Sequence, residues 1–204
     1  MERVLCVTKS RLEELGIDFN TRGIQALNLK DVHHKDVSFK ERAFVDDPNQ
    51  VEESSKTPQI LGYVAIEVCD DVYLGYQSGG SELRLSANTS IGFGGHINPV
   101  DAEWTLEETV LTGLARELEE EIGFYNIPRE LYEYKGVIID TDDVGKVHVG
   151  VAYVIEQSVM REVADYASDC ELKDLLFIDV RTPAEYDKLE GWSQLLADHI
   201  KRSK

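Results

Sequence analysis

Residues 105–124 constrain the fold more than any other stretch, because a helix with both ends marked is written into them. Thr105 and Glu108 have the spacing of a capping box, in which each closes the other's free backbone N–H. Val110, Leu111, Leu114, Leu118 and Ile122 recur at helical intervals and give one apolar side. Gly123 then stops the helix. Its last turns read Arg116-Glu117-Leu118-Glu119-Glu120-Glu121-Ile122-Gly123-Phe124. Glu117, Glu120 and Glu121 stand at i, i+3 and i+4, so their side chains share a face. Like-charged pairs at these spacings cost an isolated helix roughly 0.2–0.5 kcal/mol each. Arg116 reaches Glu119 or Glu120, but one cation does not neutralise the cluster. Mg²⁺ would, since it prefers carboxylate oxygens and fills its other positions with water and substrate phosphates. The face therefore reads as a metal platform for phosphate chemistry, and the plain alternative is a solvated acidic face. Gly113, mid-helix, implies a close approach by backbone, substrate or a second element.

The charge balance limits the partner. Among 204 residues, 21 Lys and Arg face 39 Asp and Glu, a formal charge of −18. A nucleic-acid polymer needs a basic surface and is excluded as partner; a small phosphorylated substrate arriving with Mg²⁺ is not. Cys6, Cys69 and Cys170 are far apart, without zinc spacing, and fit reduced thiols in a cytoplasmic protein. No apolar run approaches a membrane span, and the N-terminus has no h-region, so no membrane partner is expected.

The rest of the chain is mixed in type. Residues 2–7 suit a strand, and Ser10 with Glu13 suits the cap of a short helix ending near Gly16. Residues 17–58 are weakly patterned, with a polar loop over 46–56, so residues 1–57 are expected to form an N-terminal extension or subdomain and 58–204 the main domain. Ile60 to Val68 and Val72 to Tyr76 read as a hairpin. Leu83 to Leu85, Ser90 to Phe93, Leu131 to Asp140, Lys146 to Glu156 and Leu175 to Val180 are further strands. Thr182-Pro183-Ala184-Glu185 starts a helix, and a last helix over about 191–201 puts Trp192, Leu195, Leu196 and Ile200 on one side.

The acidic helix resembles the signature of the Nudix (MutT-like) hydrolase family. That signature is a Gly, five residues, a Glu, seven residues, then Arg-Glu-apolar-any-Glu-Glu-any-Gly-apolar. Glu108 stands eight positions before Arg116, and Arg116, Glu117, Leu118, Glu120, Glu121, Gly123 and Phe124 each fill their slots. Gly92-Phe93-Gly94-Gly95-His96-Ile97 resembles the glycine-rich approach. One departure matters. If Gly95 is the signature glycine, residues 96–107 intervene, twelve where the family has five. The loop over 98–104 is an insertion that a strict pattern would miss, and an inserted surface loop is thermodynamically cheap.

The resemblance implies an α/β fold, the Nudix-type α/β/α sandwich with a mixed β-sheet and a loop-helix-loop catalytic motif. It implies that Glu117, Glu120, Glu121 and the Gly95 carbonyl hold Mg²⁺, with Mn²⁺ as the substitute, and that Arg116 orients the glutamates through ion pairs. Glu108 matches a less central glutamate. The implied reaction is cleavage of a phosphoanhydride in a nucleoside diphosphate linked to another group, with catalytic roles for Glu120, Glu117 and Arg116. Homodimers are common in that family, and no segment identifies an interface. A non-catalytic module of the same fold, sensing a nucleotide-like ligand, is the alternative.

Around that centre, Arg84, His96 and Trp104 are candidate substrate contacts, with Lys146 and His148 as further phosphate candidates. The base is Glu120 or a loop acid such as Asp169, Glu171 or Glu190. His33-His34 lacks a third ligand nearby. Asp140 to Gly145 resembles the opening of a calcium loop, but Val144 and Val151 occupy ligand positions, so a polar turn is expected.

Overall fold

The computed structural model describes residues 2–42, 56–77, 88–142, 145–156 and 174–204. Among them run strands β1 (Arg3–Val7), β2 (Gly23–Gln25), β3 (Val37–Glu41), β4 (Gln59–Cys69), β5 (Val72–Gln77), β6 (Thr89–Ser90), β7 (Gly92–Phe93), β8 (Tyr132–Ile139), β9 (His148–Ile155) and β10 (Leu176–Asp179). The helices are α1 (Lys9–Glu14), α2 (Leu106–Ile122), α3 (Pro183–Tyr186) and α4 (Gly191–Ser203). The chain is α/β, as its sequence predicts, with strand order β10-β5-β4-β9-β8-β2 along the main path. The strands expected at Leu83 to Leu85 and most of the loop over 46–56 lie outside the described residues. No helix among those described is long and apolar enough to cross a membrane.

The chain divides into two compact units. The first comprises Met1–Gly62, Gly95–Leu114 and Lys135–Ala152. Here β1 is a buried apolar strand, with Val4, Leu5, Cys6 and Val7 no more than 1% exposed. It pairs antiparallel with β3 along its whole length and meets β4 at Cys6↔Gln59. β2 pairs antiparallel with the end of β8, Gly23↔Ile139 to Gln25↔Val137. Among its described residues, the weakly patterned region thus holds two strands. β2 has three residues, and β3 (VSFKE) is only half-buried, so neither gives a clear alternation. α1 begins at Thr8 rather than Ser10, which lies inside the helix, and no side chain caps it. Asp140 is buried and paired with Arg22, whose Nε donates at 2.9 Å. That ion pair explains the acid at the start of the turn before β9. Within the turn, Lys146 N–H closes on the Asp142 carbonyl at 3.0 Å.

The second unit comprises Tyr63–Gly94, Ala115–Tyr134 and Tyr153–Lys204. β4 and β5 form the expected antiparallel hairpin, turning at Asp71 with φ 58°. β10 adds to β5 antiparallel, from Leu176↔Gly75 to Asp179↔Val72. α3 has Pro183 in its first turn, but Thr182 makes no side-chain cap, and the Glu185 carboxylate accepts the Asp179 N–H instead. α4 buries Ser193, Leu196, Ala197 and Ile200. The expected face is rotated, leaving Trp192 and Leu195 half-exposed. The cause is polar: the Ser193 hydroxyl is drawn inward by a buried hydrogen-bond group described below.

Candidate active site

The acidic helix is built as its ends predict. Glu108 N–H donates to Thr105 Oγ1 at 3.1 Å, and Thr105 N–H donates to Glu108 Oε2 at 3.1 Å, completing the capping box. The Glu108 carboxylate also accepts from the Thr105 hydroxyl at 2.9 Å, so it serves the helix cap. Val110, Leu114, Leu118 and Ile122 are fully buried, and Leu111 nearly so. At the far end Gly123 takes φ 70°, a left-handed value that suits glycine, and its N–H donates to the Glu119 carbonyl at 3.0 Å. Gly113 answers to packing. A Cβ there would lie 2.5 Å from Ile97 Cδ1 and 3.2 Å from an Asp101 carboxylate oxygen.

The glutamates sit in the last turns, with no basic residue in the final one. Negative charge at a helix C-terminus is disfavoured by about 0.3–1 kcal/mol per group, and the carboxylates also repel one another. Arg116 offsets part of this. Its Nη1 donates to Glu117 Oε1 at 2.7 Å and to Glu120 Oε2 at 3.1 Å. Glu117 is 17% exposed in its side chain and Glu120 55%, so the bridge runs from a sheltered carboxylate to one open to solvent. Glu121 turns elsewhere, its Oε2 accepting the Gly94 N–H at 3.1 Å.

Among the described residues, no three His, Cys, Asp or Glu side chains already converge as an ion cage. The donors nonetheless suit a hard divalent cation: Glu117 sheltered and Glu120 open within one arginine bridge, with Glu121 a residue further on, at a helix end that favours positive charge. The Gly95 carbonyl accepts Gly62 N–H at 3.1 Å, and a carbonyl oxygen carries a second lone pair.

The other candidates are spread. His96 bridges to Leu61 and places its ring 6.1 Å from that of His148, edge-on. Trp104 is 86% exposed; it does not pack its loop onto the domain. The loop is nonetheless ordered, because buried Asp101 accepts the Asn98 N–H at 2.7 Å and Thr109 Oγ1 accepts the Glu103 N–H at 3.0 Å. Lys146 is exposed. Arg84, Asp169 and Glu171 lie outside the described residues. His33 and His34 are exposed, and His33 N–H is held by Asp36 at 2.9 Å.

Glu190 is the N-cap of α4, accepting from Trp192 N–H and Ser193 N–H at 2.8 Å each. Its Oε1 also accepts the Tyr63 and Ser193 hydroxyls at 2.6 Å each. So many donors leave that carboxylate as an anchor. Burial, then the charge of Glu190, pushes the Tyr63 phenol well up. Burial, then Glu121 and Glu190, pushes Tyr76 up to about 12, so it stays a neutral phenol beside the acids. Sequence reasoning missed this buried group because glutamate is not a preferred N-cap. It also missed the Gly94–Glu121 bond, a contact between residues far apart in sequence.

Comparison with known proteins follows the same lines. No family model matches the chain. It is 32% identical over 155 residues to Protein YmaB of Bacillus subtilis (strain 168), covering 72% of this chain and 73% of that one. In structure it resembles Tm1382, a candidate Nudix hydrolase, over the full length of both chains with TM-score 0.74 and 23% identity. It also resembles a Nudix hydrolase from Nitrosomonas europaea, with TM-score 0.51 and 16% identity over 72% of this chain and 90% of that one.

Proposed function

Because the chain belongs to the family of Protein YmaB and has the Nudix fold, we propose that it is a divalent-cation-dependent hydrolase of phosphoanhydride bonds. Its substrate on this reading is a nucleoside diphosphate linked to another group. The observation that carries the reading is the acidic end of α2. Glu117, Glu120 and Glu121 crowd the helix terminus where negative charge is least welcome, and Arg116 bridges two of them. A helix selected only for stability would place Lys or Arg there. The cluster suits a cation that the protein takes up together with an anionic substrate.

On this reading Glu117, Glu120 and Glu121 would hold Mg²⁺, or Mn²⁺ in its place. Bound there, the ion supplies Lewis-acid polarisation of a phosphoryl oxygen, a lowered pKa for an attacking water and charge relief for the leaving oxygen. The chain's own residues do the rest. Arg116 holds Glu117 and Glu120 in register through its two hydrogen bonds. Glu120, the more open of that pair, takes a proton from water. The Gly94 N–H fixes the Glu121 carboxylate so that one oxygen stays oriented.

The test is a panel of nucleoside triphosphates, nucleotide sugars, dinucleotides and isoprenoid diphosphates, each with Mg²⁺, with Mn²⁺ and with chelator. The reading expects metal-dependent release of phosphate, pyrophosphate or a monophosphate from at least one class. Ligand-induced thermal stabilisation with no product from any class would identify a sensing module instead.

A further inference from the structure

The chain changes partners inside its glycine-rich strand. β6 pairs with β5 through Tyr76↔Ser90, whereas β7 pairs with β4 through Ala65↔Gly92. Ile91 lies between the two and is fully buried. A buried backbone N–H at such a switch has left one ladder and not entered the next, so it needs an acceptor. Ser193 of α4 provides it: its Oγ accepts the Ile91 N–H at 3.0 Å. The hydroxyl is held in turn, donating to Glu190 Oε1 at 2.6 Å with the Tyr63 hydroxyl 2.8 Å away. The Tyr63 ring reaches that point by crossing Gly92, where a Cβ would fall 1.8 Å from the ring. Three residues beyond Ile91, Gly94 donates to Glu121.

We propose that Ser193 is a positioning residue for the acidic site. By anchoring Ile91 where the strand changes partners, it sets where Gly94 N–H meets Glu121, and so how firmly that carboxylate is oriented toward a cation. The inference rests on the reading of Glu121 as a cation ligand given above. Glu190 and Tyr63 orient the Ser193 hydroxyl. The last helix then carries a structural input to the site without touching substrate.

The experiment compares the full chain with Ser193→Ala and with Leu196→Ala, a core truncation on the same helix. Amide exchange at Ile91 and Gly94, Mn²⁺ binding followed directly, and the Mg²⁺ concentration for half-maximal cleavage are measured for each. Ser193→Ala is expected to accelerate exchange at both amides and to weaken Mn²⁺ binding by roughly 10-fold or more, the usual cost of losing an outer-shell partner. Leu196→Ala is expected to lower the melting temperature while Mn²⁺ binding and Gly94 exchange stay at wild-type values. Wild-type Mn²⁺ binding in Ser193→Ala, or equal weakening in Leu196→Ala, would overturn the proposal. If wild-type protein cleaves no phosphoanhydride, the hydrolase reading fails, while Mn²⁺ binding and amide exchange still decide the role of Ser193.

Discussion

Gly94 donates its backbone N–H to Glu121 Oε2 across 3.1 Å, joining the glycine strand to the acidic end of α2. The bond separates two properties of Glu121 that are usually lost together. Its oxygen satisfies a backbone donor, while its charge opposes the helix dipole.

Glu121→Gln is therefore expected to be at least as stable as wild type. The amide oxygen still accepts from Gly94, and removing a negative charge from a helix C-terminus gains about 0.3–1 kcal/mol. Glu121→Ala loses the acceptor and is expected to be less stable than the glutamine variant by about 1 kcal/mol. Mn²⁺ binding falls in both. Thermal melts with and without Mn²⁺ check the pair, and a glutamine variant clearly less stable than wild type would contradict this view of the cluster.

Two glycines differ sharply in what a methyl group would meet. At Gly92 it would fall within 1.8–2.3 Å of three Tyr63 ring atoms, inside a buried network. At Gly113 it meets the end of the Ile97 side chain at 2.5 Å, and helix propensity returns about 1 kcal/mol. Gly92→Ala is expected to prevent folding or to cost more than about 3 kcal/mol. Gly113→Ala should fall within about 2 kcal/mol of wild type. Denaturant titration of both variants decides the ordering.

Much of this was legible in the sequence, and the reasons are local. Thr105, Glu108 and Gly123 mark the helix ends by backbone chemistry alone, and the apolar stripe from Val110 to Ile122 fixes its buried face. The β4–β5 hairpin was readable from its β-branched and aromatic residues and the Asp70-Asp71 turn. What was not legible depends on contacts distant in sequence. β2 is short and β3 half-exposed, and both are defined by pairing with β8 and β1. The buried face of α4 departs from its apolar side at Ser193, a polar residue drawn inward by partners far off in sequence. The site shows the same division. The glutamate spacing is visible in the sequence, but the Gly94 bond that holds Glu121 is not.

Several buried acids of weak strength set the alkaline limit of stability. Burial pushes the Cys6 thiol and the Tyr132 phenol up to about 12 each, and burial with nearby carboxylates does the same for Tyr76. Their folded values lie above their unfolded ones, so the unfolded chain loses these protons first. Stability is then full below about pH 8.5 and falls as the pH rises toward 12. Chemical denaturation at stepped pH, with phenolate absorbance followed in parallel, should show late tyrosine ionisation coincident with unfolding. Cys69, exposed, should alkylate in the native protein while Cys6 stays protected.

Trp104 is 86% exposed on an ordered loop. Trp104→Ala is expected to change stability by no more than about 0.5 kcal/mol. If the indole meets substrate, the variant raises KM with little change in kcat, and substrate analogues quench Trp104 emission in a Trp192→Phe background. An unchanged KM for every substrate cleaved would remove Trp104 from the site.

The account stands most directly on Glu120, the open member of the arginine-bridged pair. Metal-dependent cleavage should be measured for wild type and Glu120→Gln at matched melting temperature. The account expects turnover to fall on the order of 10²–10³-fold in the variant, with the fold intact. A pure Glu120→Gln protein that keeps most of the wild-type rate would contradict it.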